Sequence, residues 1–149
     1  MKKAKFILPV LMALVMGLSM TSCSDEYFGN TNTRAMTTTV YWNDWISEAG
    51  VNYLYAEVPW DAITLDVLNM GNVSAYIYDG DYQCPLPHIV PITYNTSTGP
   101  VVVAENITYD LTPGKVTFRM QDMDGNLPEG LTNNPPITFR VVVTMPVER

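Results

Sequence analysis

The stretch ITFRVVVTM, residues 137–145, puts Ile137, Phe139, Val141, Val143 and Met145 on one side of an extended chain. Successive side chains of a strand point to opposite faces, so this alternation describes a strand with one buried side. KVTFRMQDM, residues 115–123, repeats the design: Val116, Phe118 and Met120 alternate with Thr117, Arg119 and Gln121. Such a strand keeps one face on a core and one in water, as antiparallel sheets do.

Working outward, the pattern recurs. VVVAENITY, 101–109, leads into 115–123 through DLTPG, which reads as a hairpin with a five-residue loop. VSAYIYDG, 73–80, lines Val73, Ala75 and Ile77 on one face and ends in Asp79-Gly80, a tight-turn signal. CPLPHIVPITY, 84–94, carries prolines at 85, 87 and 91. Proline cannot donate to a central ladder, so this is an edge strand or an extended crossing segment. VNYLYAEV, 51–58, alternates as well, and TTTVYWNDW, 37–45, is rich in β-branched and aromatic residues. One segment favours helix. Ile63, Val67 and Leu68 share a helical face, Thr64 suits an N-cap and Gly71 the residue after the end, so a short helix is expected near 63–70.

The expected fold is therefore all-β: an antiparallel sandwich of about seven strands, immunoglobulin-like in size, with at most that one helix. A small barrel is the alternative.

The chain opens MKKAK and continues with an uncharged run, Phe6 to Met20. A basic start followed by a short apolar run is the layout of a secretory signal. About 20 apolar residues are needed to span a bilayer, and this run falls short. The run ends in SMTSC, which resembles a bacterial lipobox. The resemblance implies cleavage before Cys23 and lipidation of that residue. Residues 1–22 are then the signal, 23–36 a lipidated tether and 37–149 one sandwich domain. Removing 22 of 149 residues also removes three lysines, which leaves five basic against fifteen acidic residues, a net charge of −10. That balance excludes a nucleic-acid partner, since phosphate binding draws on Lys and Arg. Ser24, Asp25 and Glu26 resemble the short acidic signal that exports lipoproteins of Bacteroidetes to the cell surface. The implied location is the outer membrane, lipid-anchored and facing outward, with the membrane itself the first partner.

A wider pattern covers most of 59–145: I-T-x-x-V at Ile63, Thr64 and Val67, G-x-V-x-x-Y at Gly71, Val73 and Tyr76, Leu86-Pro87, and R-V-V-V at Arg140–Val143. It resembles small secreted Bacteroidetes lipoproteins of β-rich, uncharacterised type. The resemblance implies the fold and the secretion route and supplies no catalytic residue.

The chemistry-bearing residues are sparse. Cys84 and His88 in CPLPH suggest a thiol nucleophile and its base. Four extended residues separate such side chains by about 13 Å, so they share no hydrogen bond. His88 is the one histidine, which leaves little for a Ser-His-Asp triad or a histidine-rich zinc site. Asp122, Asp124, Asn126 and Glu129 resemble a calcium loop, but Gly125 and Glu129 fall at the wrong positions for one. No catalytic set, metal or cofactor is expected. Three tryptophans and five tyrosines fall between 42 and 82. They fill a core, or some form a surface on which sugars stack. Trp60, beside a proline at a strand end, and Tyr82, in a turn, are the two expected at the surface as ligand-binding candidates. The expected function is a non-catalytic binding or structural role toward a glycan, a host or matrix protein, or a membrane-complex partner. The alternatives are a carboxylate-dependent glycan hydrolase and a fimbria-like subunit whose strand Ile137–Met145 pairs between chains.

Overall fold

The computed structural model describes residues 24–27, 32–124 and 136–146. Among them, in chain order, are β1 (Ser24–Tyr27), β2 (Thr33–Val40), β3 (Leu54–Pro59), α1 (Leu65–Met70), β4 (Asn72–Asp79), β5 (Tyr82–Pro85), β6 (His88–Thr96), β7 (Gly99–Thr112), β8 (Lys115–Asp122) and β9 (Ile137–Thr144). One sheet has the order β1-β2-β9-β4-β5, the other β3-β8-β7-β6, and every pairing is antiparallel. Each sheet keeps two edges, so the molecule is a sandwich and not a barrel. The nine strands exceed the expected seven because the two short edge strands, β1 and β5, carry little periodic signal.

The alternating residues make the core. Phe139, Val141 and Val143 of β9 and Val116, Phe118 and Met120 of β8 are buried. Phe118 and Phe139 stack across the space between the sheets. Met36 from β2, Ile107 from β7 and Ile63 complete the fully buried set of large apolar side chains. Burying each such side chain contributes about 1.5–3 kcal/mol. The outer face of β8 is polar, and Arg119 lies 4.8 Å from the Tyr53 ring centre. β9 is bonded on both sides, to β2 and to β4. The strand proposed for pairing between chains therefore has no open edge.

The prolines fall where a missing donor is tolerated. Pro91 lies in β6, an edge strand, and Pro85 ends β5, another edge. Between them a cis Leu86-Pro87 bond carries the chain from one sheet to the other. Both readings of CPLPHIVPITY, edge strand and crossing segment, thus apply to parts of it.

Three expectations are corrected. The buried part of the sandwich begins in β2, at Thr33 and not at 37, because Ala35 and Met36 are buried there; Ser24–Tyr27 adds an edge strand on β2 and is not tether. The β7–β8 connection is two residues, Pro113 and Gly114, because pairing continues to Thr112 and Lys115. Gly114 has φ +83°, as the third position of a type II turn requires after proline. That turn is also tied to the opposite segment: Gly114 N–H donates to the Ile63 carbonyl at 2.7 Å, and Trp60 N–H to the Gly114 carbonyl at 2.8 Å. Third, β2 stops at Val40, and Trp42–Asp44 forms a 3-10 turn where strand was expected. The Tyr41 N–H donates to Asp44 Oδ2 at 2.8 Å and turns the chain there.

The short helix forms with the expected cap. Thr64 Oγ1 accepts from the Val67 N–H at 3.2 Å. Ile63 and Val67 are buried, whereas Leu68 is turned outward. Gly71 ends the helix in extended backbone (φ −87°), so glycine is not there for a left-handed turn. It is there for space. A Cβ at Gly71 would lie 2.9 Å from the Val67 carbonyl oxygen, 2.9 Å from Met145 Sδ and 3.2 Å from the Thr144 carbonyl oxygen.

Candidate functional site: a cleft at one end of the sandwich

Strands that end at different levels leave the two sheets open at one end. β7 pairs with β8 over Glu105–Thr112 but with β6 over Gly99–Ile107. Gly99–Ala104 therefore runs on with β6 as a two-stranded arm. Opposite the arm stand the β4–β5 turn and the start of β9. Between them is a cleft of about 500 Å3.

Its floor follows from the inward parity of each strand. Ile77 of β4, Ile137 of β9, Ile92 of β6 and Ile107 of β7 meet there, with Val90 beside them. Trp42, delivered by the 3-10 turn, forms a side wall. Asp79 and Tyr82 form the lip. They are cross-strand partners around the two-residue turn Gly80-Asp81, where Gly80 has φ +48°. The Asp79-Gly80 pair thus turns the chain as expected and also sets a carboxylate at the mouth. Asp79 beside Tyr82 raises the phenol above its ordinary pKa, since its negative charge opposes phenolate and its carboxylate accepts the phenol's hydrogen bond; partial burial adds to this. Among the described residues, Asp79 is the only charged one lining the cleft.

The indole Nε1 of Trp42 is buried and has no hydrogen-bond partner among the described residues. The same is true of Trp45 and Trp60, but those rings belong to the core, whereas Trp42 lines the cleft. A buried donor left without an acceptor costs about 1–3 kcal/mol.

The sequence-level candidates fare differently. Tyr82 is 56% exposed and lies at the cleft lip. Trp60 is 5% exposed and sits in the core, contrary to its expected place at the surface. Its N–H holds the Gly114 turn, and the Arg34 guanidinium lies 6.0 Å from its ring centre, so the strand end is covered and not open. Cys84 and His88 are both half-buried, on β5 and β6 in different sheets. The proline-forced crossing separates this pair. Asp122 accepts from the Asp124 N–H at 3.0 Å in a local turn, and Asn126 and Glu129 lie outside the described residues. Among the described residues, no three His, Cys, Asp or Glu side chains are placed to hold a metal ion. Cys23 also lies outside the described residues. Ser24, Asp25 and Glu26 pair with Thr37, Met36 and Ala35.

Two features escaped sequence reasoning. Trp42 was masked by the β-like run around it; the Asn43-Asp44 pair, a turn signal, was the available clue. Glu105 is fully buried, on the inward face between Val103 and Ile107. A carboxylate in an otherwise apolar row was the visible sign of it.

No family model, curated protein or solved structure matches this chain.

Proposed function

We propose that this protein is a lipid-anchored, non-catalytic binding module, displayed at the outer membrane surface, that takes its ligand in the cleft between the two sheets. The observation that carries the reading is the cleft itself: a concave apolar space with a few polar groups at its mouth, the usual form of a binding site. The signal, the lipobox and the acidic residues after Cys23 support the location. Among the described residues the cleft presents one carboxylate, Asp79, which favours binding over glycan hydrolysis, a reaction that in its usual form needs two carboxyl groups flanking one bond.

The test fills the site. Val90 is half-buried on the cleft wall, and Val90→Trp occupies the space without touching the lip. An array of peptides and oligosaccharides is probed with the wild-type chain and with this variant. Ligands that the wild type retains and the variant loses support the cleft. Equal binding by both proteins would refute it.

A further inference from the structure

Resting on that reading of the cleft, we propose that its ligand is a cationic peptide segment, which places an apolar side chain on the isoleucine floor and its positive charge against Asp79.

The floor decides against sugar. Ile77, Ile92, Ile107 and Ile137 offer no hydrogen-bonding atom on their side chains. A sugar ring seated on these four side chains would bury hydroxyls against them. Apart from the lip residues, only the Thr93, Thr138 and Tyr78 hydroxyls elsewhere on the lining could replace the lost water, so most of that burial is unfavourable. An aliphatic or aromatic side chain loses nothing of the kind and gains the burial of its surface.

The lip decides the charge. Asp79 is exposed, and no Lys, Arg or His lines the cleft among the described residues. The whole chain carries a net −7, so the surrounding field also draws cations. Tyr82, beside Asp79, presents a ring face that a lysine or arginine can cover.

Trp42 lines the cleft wall and adds an aromatic face beside the isoleucines. An apolar group and a cation occur together in a basic peptide with a hydrophobic residue.

The test titrates the full chain, in detergent, with capped five-residue peptides. Their cores are Lys-Leu-Lys, Glu-Leu-Glu and Lys-Ser-Lys, with cello- and xylo-oligosaccharides run in parallel. Binding is read by calorimetry and by the indole N–H signal of Trp42. The expected result is that Lys-Leu-Lys binds at least tenfold more tightly than the other two peptides and the sugars. It shifts the Trp42 signal, weakens at least tenfold in Asp79→Asn, and is lost in Val90→Trp. Equal binding of Glu-Leu-Glu, indifference to Asp79→Asn, or a preference for oligosaccharide lost in Val90→Trp would overturn the peptide assignment and leave the cleft as the site. Lys-Leu-Lys binding that survives Val90→Trp, or no binding by any probe, would overturn both.

Discussion

The ring of Phe118 lies flat against that of Phe139, with centroids 3.8 Å apart and planes 12° from parallel. The two residues come from β8 and β9, one from each sheet, and both are fully buried. This stack is the joint between the layers. Phe139→Ala or Phe118→Ala should destabilise the domain by about 3–5 kcal/mol, through lost burial and the cavity left behind. The midpoint of urea unfolding measures it. Phe139→Leu should cost less than half as much.

Gly71→Ala should destabilise although its backbone angles suit alanine. The added methyl meets two backbone oxygens and one flexible sulfur. Overpacking of this kind costs about 1–3 kcal/mol. Adding Met145→Ala should restore only part of the thermal midpoint, because the Val67 and Thr144 carbonyls do not move away as a side chain does.

Thr64→Ala removes the acceptor for the Val67 N–H. The expected loss is about 1 kcal/mol, with Thr64→Ser near wild type. Amide exchange at Val67 should speed up in the alanine variant and not in the serine variant.

Asp79→Asn should lower the pKa of Tyr82 toward its ordinary value of 10.0, because the Asp79 charge is the main cause of its elevation. Ultraviolet titration of phenolate formation reads this directly. The sign for stability follows from linkage. The folded chain holds the phenol proton more tightly than the unfolded chain does. The contribution is thus fully present below pH 10 and is lost as pH rises through the folded value. The variant should lose this part of the alkaline sensitivity.

Cys23→Ser should abolish lipid labelling and release the protein from the membrane fraction. Changing Asp25 and Glu26 together to alanine should keep the lipid and hold the protein on the inner leaflet, out of reach of protease added to whole cells. Unchanged protease accessibility would refute the export signal. The pairing of Asp25 with Met36 and of Glu26 with Ala35 uses backbone atoms, so the strand itself should survive the change.

The architecture was legible wherever side chains alternate. β8 and β9 could be read residue by residue, because one face of each is dry and the other wet. The Asp79-Gly80 turn and the Thr64 cap were legible because each rests on a local hydrogen-bonding habit of a few residues. Trp60 was not legible. Its burial depends on the Gly114 turn some fifty residues later folding against it, and no local pattern encodes that. The cleft was invisible for a related reason. It comes from β7 outrunning β8, which is a property of register between strands. Tyr82 is exposed, as its place in a turn implies, but nothing near it in sequence points to Ile107 or Ile137 below.

Ser24 is paired with Thr37, and the residue before Ser24 is the proposed lipid carrier. A flexible leash lets a domain swing and sample ligands at a distance from its root. Cys23 precedes that paired strand by one residue in sequence, so a lipid carried there would act as a bracket. The cleft lies just beyond the end of β2, where the chain turns at Trp42; the three steps of strand from Thr37 to Val40 rise about 10 Å, and the 3-10 turn follows directly. With a lipid at Cys23, a mouth held that close to its root would work at the membrane's own surface. It would meet partners that share the membrane or reach down to it, and would miss those that stay beyond the cell's outer coat.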